Sequence, residues 1–332
     1  MIELRIRTKV ADEVMRDLIG TPVTPDLIGA KLEGPARVLK PDGKPLCVYL
    51  PGAAREVADA TFDEFSRIRN QNTNRGYASG SKRVPVPGSK RSVALPVSSE
   101  ILGSFDPLGR LQYCRLTAFT AKQVERWTHL QPYFRRIGEL FEEHVPERYT
   151  AQVAEVQRTP PEWIIQGTPF TTITVNNTYP TGIHTDKGDL DAGFSNIGCM
   201  RRGAFTGGWL TFPQYGVAVD LQHGDVLLMD AHEWHGNTPI ICSYCGESLR
   251  KFDHECPQGG DVAERKNIPW VPPERVSVVS YYRTKMAECG TADEELDRRA
   301  AVREALARKS LGLDEDDQME MLAATVQTKE DM

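Results

Sequence analysis

The sequence lacks long apolar segments, internal repeats and glycine-rich phosphate loops. No apolar run in its 332 residues approaches the roughly 20 residues that a helix needs to cross a bilayer. The first residues, MIELRIRTKVADE, lack the apolar stretch of a signal peptide. None of the glycine-containing turns leads into a helix as phosphate-binding loops do. We therefore expect a protein that is not secreted and does not contact membranes, and a cytoplasmic location is the simplest interpretation.

Cysteine is too scarce and too unevenly spaced for a disulfide framework. The chain has seven cysteines, an odd number, and three of them cluster between residues 242 and 256. The other four stand alone in the chain: Cys47, Cys114, Cys199 and Cys289. Isolated cysteines favour a reducing compartment.

The charge of the chain is unevenly distributed. Residues 288–332 hold 13 acidic and 6 basic residues, whereas residues 1–287 hold 33 acidic and 34 basic ones. Within this nearly neutral body, residues 66–91 carry seven basic residues and no acidic one, with the Gly, Ser, Asn and Pro typical of a loop. Such a loop can neutralise phosphates. A solvated loop without a partner explains the composition equally well.

The N-terminal half has mixed secondary-structure patterns. Residues 36–50 predict two short strands around a Pro-Asp-Gly turn, and residues 53–69 have helical spacing. Between residues 121 and 145, apolar residues recur near the helical period and predict a long amphipathic helix. These residues are Val124, Trp127, Leu130, Phe134, Ile137, Phe141 and Val145. We interpret the aromatic stripe as core rather than as a cofactor site.

From residue 170 the pattern changes to short β segments separated by glycine-containing turns. The segments span residues 170–177, 208–213, 216–221, 225–230 and 275–283. They predict a β core behind the mixed N-terminal half. A charged helix follows, opened by Thr291 and Glu294 at capping-box spacing. We expect the acidic tail beyond Asp314 to be disordered.

The string GIHTDKGDLD, residues 182–191, contains a candidate metal site. His184 and Asp186 are two positions apart, so on an extended segment their side chains point to the same side and can bind one metal ion. Non-haem iron(II) oxygenases hold iron with two histidines and one carboxylate. By itself the His-x-Asp pattern is common, and a structural turn is its usual explanation. The string HGDVLLMDAHEWHGN offers three candidates for the second histidine: His223, His232 and His235.

The ordered strings carry a family resemblance. From about residue 170 to residue 283 the chain resembles the double-stranded β-helix oxygenases that depend on iron(II) and 2-oxoglutarate. Within these it resembles the ten-eleven-translocation and base-J-binding protein (TET/JBP) family, whose members oxidise the 5-methyl group of pyrimidines in DNA. The matching strings are TVNNTYPTGIHTDKGDLD, GAFTGGWLTFPQYGVAVDLQHGDVLLMDAHEWHGN and RVSVVSYYR. The resemblance implies an α+β fold whose core is a double-stranded β-helix of the jelly-roll or cupin type, supported by the N-terminal mixed region.

The resemblance also implies the cofactors and the residues that hold them. His184, Asp186 and His235 would bind iron(II), and Arg275 on the last strand would pair with the distal carboxylate of 2-oxoglutarate. A guanidinium fork suits a carboxylate bidentately. With O2 as the other cosubstrate, the implied reaction couples decarboxylation of 2-oxoglutarate to succinate with hydroxylation of a C–H bond. His223 is discounted because it precedes the strand that the other two histidines follow.

Asp189 is the residue that the resemblance places on the substrate base. Family members that act on cytosine use an acidic residue three positions after the metal aspartate. A carboxylate accepts a hydrogen bond from the exocyclic amine of cytosine but opposes O4 of thymine unless it is protonated, which favours 5-methylcytosine. Alternatively, Asp189 caps the loop after the metal strand, and we expect Asp191 to be solvated. Asn176 and Asn177 are further candidates for lining the pocket.

The basic segment gains a purpose from this assignment. A methyl group inside a duplex cannot reach a buried iron, so the enzyme must extrude the target nucleotide. The residues that could hold the DNA backbone are Arg67, Arg69, Arg75, Lys82, Arg83, Lys90 and Arg91. Tyr77 could stack on a base or fill the vacated space, although packing on the core is an equal alternative. The implied partner is double-stranded DNA, and the nucleoid or nucleus then becomes an alternative location.

The long connection between His235 and Arg275 contains a second candidate metal site. Cys242, Cys245, His254 and Cys256 form a Cys-x2-Cys-x8-His-x-Cys arrangement. Three thiolates and one imidazole suit tetrahedral zinc and leave no open position for catalysis. We predict a small structural zinc site in an insertion at residues 240–270. Free thiols in a surface loop and a redox pair are the alternatives.

Together these patterns predict three regions and one activity. Residues 1–120 form the mixed region with the basic loop, residues 121–286 the β-helix core with the insertion, and residues 287–332 the charged helix and acidic tail. The predicted protein is a monomeric dioxygenase that oxidises 5-methylcytosine in DNA to 5-hydroxymethylcytosine or beyond. The alternatives are a thymine 5-methyl hydroxylase acting on DNA and a hydroxylase of a small molecule or a protein side chain. A zinc-ordered DNA-binding module without catalysis is a rival from another class.

Overall fold

The computed structural model describes residues 1–72, 84–89, 92–93, 96–249, 254, 256, 258, 260–261, 264 and 270–310. Its helices there are α1 (Asp12–Asp17), α2 (Arg55–Ser66), α3 (Ala118–Lys122), α4 (Val124–His144), α5 (Pro146–Val156) and α6 (Ala292–Ser310). Its strands there are β1 (Ile2–Arg5), β2 (Ala30–Leu32), β3 (Ala36–Leu39), β4 (Pro45–Leu50), β5 (Gln71–Asn72), β6 (Val84–Pro85), β7 (Ser92–Val93), β8 (Val97–Phe105), β9 (Arg115–Leu116), β10 (Thr172–Asn177), β11 (Ser195–Arg202), β12 (Phe205–Gly207), β13 (Leu210–Phe212), β14 (Val217–Val219), β15 (Val226–Met229), β16 (Gly236–Asn237), β17 (Ile240–Cys242), β18 (Ser248–Leu249) and β19 (Glu274–Tyr281). None of the described helices is long and apolar enough to span a bilayer.

Two packed sheets form the core. The larger has the order β1-β3-β4-β15-β11-β19-β10-β8-β5, with β9 paired to β8, and the smaller has the order β16-β13-β14-β2. A bridge between His184 and His235 extends the smaller sheet. Antiparallel β10, β19, β11 and β15 therefore face the His184 segment, β16, β13 and β14 across an apolar interior. This is the expected double-stranded β-helix, and the α+β fold class is confirmed.

Strand alternation decides what each face of the large sheet contacts. Ile173 and Val175 on β10 pack against the buried faces of α2 and α4, in a cluster that includes Phe65 and Phe134. Neighbouring residues of a strand point to opposite faces, so Asn176 points into the space between the sheets. The interior of the β-helix is therefore lined by every second residue of each strand.

The elements predicted from sequence patterns are present. The five β segments correspond to β10, β13, β14, β15 and β19, and the Pro-Asp-Gly turn joins β3 to β4. The predicted helix at 121–145 is α4, preceded by the short α3. The capping box is confirmed, because the backbone amide of Thr291 donates to Glu294 at 2.7 Å and that of Glu294 donates to the Thr291 hydroxyl at 3.4 Å.

The N-terminal strands belong to the same sheet as the core. Strands β1, β3 and β4 extend it beyond β15, and β8 and β5 extend it beyond β10. Residues on either side of position 120 thus share one continuous sheet.

One cysteine expectation is wrong. Cys114 and Cys289, separated by 175 positions in sequence, form a disulfide bond, so they are not isolated thiols. The bond joins the segment before β9 to the segment before α6, where Trp163, Tyr282 and Met286 pack around it. Cys47 and Cys199 are buried free thiols.

Candidate active site

The three predicted iron ligands come together inside the β-helix. The backbones of His184 and His235 exchange two hydrogen bonds of 2.9 Å, and the amide of Asp186 donates to the carbonyl of Ala231 at 2.9 Å. Asp186 Oδ1 lies 3.5 Å from His184 Nε2, and Asp186 Oδ2 lies 3.8 Å from His235 Nε2. The three ligand atoms all lie within 4.8 Å of one another. Two imidazoles and one carboxylate arranged in this way match the facial triad of non-haem iron(II) oxygenases.

Both imidazole rings are oriented for metal binding. Nδ1 of His184 lies 2.8 Å from the carbonyl of Gly182, and Nδ1 of His235 lies 2.9 Å from the carbonyl of Glu233. Because a carbonyl only accepts, each Nδ1 carries the proton and each Nε2 keeps its lone pair. Burial, together with the nearby His184, lowers the pKa of His235 to about 4. The neutral form that a metal requires is therefore the stable one.

The N-terminal segment supports the backbone beside His184 through hydrogen bonds to Ile183. Gly20 donates to the carbonyl of Ile183 at 2.9 Å, and Ile183 donates to the carbonyl of Thr21 at 2.8 Å. A Cβ at Gly182 would lie 2.7 Å from the carbonyl carbon of Gly20, so only glycine allows this approach. Sequence patterns gave no indication of this support.

Arg275 has the features of an anion-binding residue. It shares the inner face of β19 with Ser277 and Val279, and it is only 4% exposed. Its guanidinium forms no hydrogen bond or ion pair with any residue that the structure describes. Gly208, with φ +70°, provides space for it, since a Cβ there would lie 3.1 Å from Arg275 Cδ. A buried cation without a carboxylate partner is costly, so this position suits an anionic ligand.

These residues fit the cofactors of an iron(II) and 2-oxoglutarate oxygenase. His184, Asp186 and His235 would hold iron(II), and Arg275 would hold the distal carboxylate of 2-oxoglutarate. When bound, this pair supplies the oxidising power for hydroxylation, while the protein orients the substrate and excludes water.

The two remaining histidine candidates have other partners. His223 Nε2 lies 2.9 Å from Asp59 Oδ1, outside the β-helix. His232 Nδ1 lies 3.2 Å from Asp230 Oδ1, and its Nε2 lies 3.1 Å from Asp191 Oδ1. The hydrogen bond to Asp230 is the largest cause of a pKa for His232 raised to about 9. His235, and neither of these, is brought to Asp186.

A buried ionic cluster holds the loop that carries His235. Lys40 Nζ lies 2.9 Å from Asp230 Oδ2 and 2.8 Å from Glu233 Oε1. The Tyr215 hydroxyl donates to Glu233 at 2.7 Å, and Arg148 lies 3.6 Å from Asp230. The cluster fixes the chain between β15 and β16. Asp230 and Glu233 flank the histidines in the sequence, but no pattern identified Lys40 as their partner.

Asp189 lies beside the metal ligands in a buried position. Ser195 donates to its Oδ2 at 2.7 Å, and its backbone pairs with Arg283. Burial, followed by the charge of Asp186, raises the pKa of Asp189 to about 7. Among the described residues no backbone amide donates to its carboxylate, so the capping alternative has no hydrogen bond to support it. The side chain of Asp191 is exposed, as expected.

Asn176 and Asn177, at the end of β10, differ in their exposure to solvent. Asn177 is 0% exposed, and its amide donates to Glu274 at 2.7 Å and to the carbonyl of Ser66 at 3.3 Å. Its expected role in lining the pocket is therefore corrected to a structural one. Asn176 is partly exposed and accepts a hydrogen bond from Ser99 at 2.6 Å.

Five of the seven basic residues of the basic segment, and Tyr77, lie outside the described residues; the five are Arg75, Lys82, Arg83, Lys90 and Arg91. At its described start, Arg67 contacts Glu64 at 2.8 Å, and Arg69 donates to the carbonyl of Ser66 at 2.6 Å.

The four predicted zinc ligands also come together. The ligand atoms of Cys242, Cys245, His254 and Cys256 lie within 4.8 Å of one another. Gly246, with φ +76°, donates to the carbonyl of Cys242 at 2.9 Å and closes a tight turn. Burial opposes ionisation of Cys242, but hydrogen bonds from the Cys245 and Tyr244 backbone lower its pKa to about 7. The donor set suits a soft cation such as zinc.

Comparison with known proteins agrees with this geometry. Residues 105–284 match the Tet_JBP family, the oxygenase domain of the 2OGFeDO superfamily. Thymine dioxygenase JBP1 of Leishmania tarentolae is 37% identical over 160 residues, 47% of this chain and 19% of that protein. Thymine dioxygenase JBP1 of Trypanosoma brucei brucei is 31% identical over 219 residues, 65% of this chain and 22% of that protein. The chain thus spans about a fifth of the length of these curated relatives.

A solved structure shares the fold. NgTET1 in complex with 5mC DNA superposes with a TM-score of 0.52 at 12% identity, covering 88% of this chain and 100% of that chain. The family match includes all four residues of the iron and 2-oxoglutarate site and covers more than half of the chain. The chain therefore belongs to the TET/JBP family and carries an iron(II)- and 2-oxoglutarate-dependent dioxygenase domain.

Proposed function

We propose that this protein oxidises the 5-methyl group of a pyrimidine base in double-stranded DNA, using iron(II), 2-oxoglutarate and O2. The observation that carries the proposal is the pairing of an open three-ligand site with Asp189, a buried carboxyl that lies beside it and is held by Ser195. Iron and 2-oxoglutarate account for the first feature. The buried carboxyl of Asp189 is explained if it forms a hydrogen bond to the edge of a substrate base.

Two bases fit this site, and each has its own support. Thymine is favoured by the relatives, which are thymine dioxygenases with 31–37% identity. To contact thymine O4, Asp189 must carry a proton, and the effect of burial on its pKa makes that form accessible near neutral pH. 5-Methylcytosine is favoured by the ionised form, because a carboxylate accepts from the exocyclic amine.

The protein's own residues would perform three tasks in this reaction. Asp189, positioned by Ser195, would contact the extruded base and aim its methyl group at the metal site. Arg275 would fix 2-oxoglutarate. The basic segment 66–91 would neutralise the DNA backbone, with Arg75, Tyr77, Lys82 and Arg83 as candidate contacts.

We also infer that zinc occupies the cysteine cluster and orders the insertion. Three thiolates and one imidazole would leave no position for a substrate, which is the composition of a structural site. Phe205, Ile240 and Leu249 form a small apolar cluster beneath it, too small to fold without a crosslink.

The proposal is tested by mass spectrometry of nucleosides from duplex DNA. Thymine-containing DNA with and without 5-methylcytosine is incubated with the protein, iron(II), 2-oxoglutarate and ascorbate. A His184→Ala variant is the control. Oxidised 5-methylcytosine that is absent in the control identifies the cytosine enzyme, and 5-hydroxymethyluracil identifies the thymine enzyme. Succinate formation with neither base altered contradicts the DNA assignment and favours a small molecule or a protein as substrate. Absence of succinate with every substrate would favour a binding module.

A further inference from the structure

A rigid two-residue hairpin lies outside the residues that carry the proposed function. Leu108 and Leu111 exchange two backbone hydrogen bonds, of 2.9 and 3.0 Å, around the turn residues Gly109 and Arg110. Gly109 has φ +59°, and glycine at the first turn position is what a tight hairpin of this kind prefers. Because the two leucines are directly paired across the turn, their side chains project from the same face of the tip.

The tip of the hairpin carries apolar side chains although it is exposed to solvent. Leu108 is 57% exposed and Leu111 is 38% exposed. Arg110 between them is exposed and forms no ion pair with any residue in the described part of the chain. Isolated exposed leucines are common on protein surfaces. Leu108 and Leu111 differ from such isolated residues because they are directly paired on one tight turn beside Arg110. They therefore form a preorganised apolar edge.

The base of the hairpin is anchored to the candidate active site. Asp106 accepts a hydrogen bond from Arg283 Nε at 2.8 Å, and the Arg283 guanidinium lies 4.4 Å from the centre of the Phe105 ring. Arg283 pairs through its backbone with Asp189, and a Cβ at Gly188 would lie 3.2 Å from Arg283 Nη2. Arg283 therefore connects the hairpin directly to the loop that carries Asp189.

The opposite arm of the hairpin is held as firmly. Arg115 donates to the carbonyls of Asp106 and Tyr113, each at 3.2 Å. The same guanidinium lies over the Phe105 and Tyr113 rings at 5.1 and 5.7 Å. The two arms are thus fixed to each other and to Arg283, and the leucine pair keeps a defined position relative to Asp189.

We propose that Leu108 and Leu111 form a wedge that enters the base stack of duplex DNA where the target nucleotide has been extruded. This inference rests on the proposed function. Extrusion leaves a gap in the stack, and apolar side chains inserted between base steps are a known way to open and hold a duplex. Arg110 at the tip can contact the adjacent phosphates. A rigid turn loses little conformational entropy on insertion, so it suits this role.

The test compares duplex and single-stranded DNA of one sequence. The Leu108→Ser/Leu111→Ser variant of the full chain should lower kcat/KM on the duplex by about tenfold, because the variant no longer offsets part of the cost of unstacking the base. Its rate on the single strand should equal that of the wild type, because no stack has to be opened. Leu108→Met/Leu111→Met, which keeps the apolar bulk, should restore activity on the duplex. Ile2→Ser is the matched control, since Ile2 is 67% exposed on β1, at the opposite edge of the large sheet from β8 and β9.

A second readout does not depend on oxidation. The fluorescent base analogue 2-aminopurine, placed beside the target base, increases in fluorescence when it loses its stacking partner. Wild-type protein should raise its fluorescence in the duplex, and the serine variant should not. If the wild type brightens the probe but oxidises no base, the proposed function fails while the wedge stands. Equal losses on both DNA forms, or no effect of the serine variant on rate and fluorescence, would overturn the wedge. An unchanged rate and fluorescence in the serine variant is also the result expected if the hairpin tip contacts another protein and not DNA.

Discussion

Two clusters of candidate metal ligands lie within the part of the chain that matches the family, and they are built in opposite ways. The triad of His184, Asp186 and His235 joins residues up to 51 positions apart through a β-bridge, and each histidine is oriented by a backbone carbonyl. The cysteine cluster draws all four residues from positions 242–256 around a tight turn. The first site offers three hard or borderline ligands, and the second offers four that are mostly soft.

This difference indicates different tasks. Three ligands on two segments joined by backbone hydrogen bonds would leave coordination positions for a cosubstrate and oxygen. The protein backbone, and not the metal, holds their arrangement. Four ligands on a short local segment would fill a tetrahedral shell, and the segment would then depend on the metal for its order. We therefore expect loss of the first metal to stop chemistry without unfolding, and loss of the second to destabilise the insertion.

The largest expected effect follows from removing an iron ligand. His184→Ala should reduce succinate formation by more than the roughly 100-fold that loss of an outer-shell partner costs, because the metal itself is lost. Thermal unfolding should change little. His223→Ala is the matched control, because His223 contacts Asp59 away from the site. Iron content and succinate formation are measured together. Normal turnover in His184→Ala would refute the ligand assignment.

Removing the anion-binding residue should have the next largest effect. Arg275→Ala should raise the KM for 2-oxoglutarate about 100-fold, the scale of two charge-assisted hydrogen bonds. Arg275→Lys keeps the charge but loses the fork, so its increase should be smaller. Arg136→Ala, which removes a surface contact to Glu139, is the control. Steady-state kinetics measure the KM for 2-oxoglutarate in each variant. An unchanged KM in Arg275→Ala would show that Arg275 does not bind 2-oxoglutarate.

Disrupting the cysteine cluster should affect stability before chemistry. Cys256→Ser should release zinc and lower the midpoint of thermal unfolding by about 5 °C, equivalent to about 2 kcal/mol for a domain of this size. Iron-dependent succinate formation should persist at temperatures well below that midpoint. Calorimetry with metal analysis measures both effects, with Ser248→Ala, at an exposed position of β18 in the same insertion, as the control. A Cys256→Ser protein that retains zinc and stability would contradict the structural role.

The smallest expected effect concerns the loop that carries His235. The hydrogen bond with Asp230, supported by Asp191 and Asp189, raises the pKa of His232 from 6.5 to about 9. A raised pKa stabilises the fold fully below pH 6.5 and loses this contribution as the pH rises through about 9. At low pH the free energy of unfolding of the wild type should therefore exceed that of His232→Gln by about 1 kcal/mol or less. Above pH ~9.5 the two free energies should be equal. Urea denaturation across this range provides the test. A difference that does not change with pH would exclude protonation as its source.

Local sequence patterns predicted much of this architecture. Residue periodicity predicted the strands and helices, and the spacing of His184 and Asp186 indicated a metal pair. The choice of His235 as the third ligand and the role of Arg275 came from the family resemblance. Strand alternation could also have shown that only one of Asn176 and Asn177 faces the interior, and Asn177 shares the face of Ile173 and Val175. Pairings between distant residues carry no such pattern. Lys40 with Asp230 and Cys114 with Cys289 are separated by 190 and 175 positions and meet only through the fold. Ser195 was missed for a different reason, because a serine at the start of a strand has many uses.

X-ray absorption at the iron and zinc edges would test the contrast between the two clusters most directly. The protein is loaded with iron(II) under anaerobic conditions and measured with and without 2-oxoglutarate. We predict iron bound by nitrogen and oxygen only, with a shell that changes when 2-oxoglutarate is added. We predict zinc bound by three sulfurs and one nitrogen, with no change. Sulfur bound to iron, or a zinc shell that responds to 2-oxoglutarate, would contradict the division into an open catalytic site and a closed structural one.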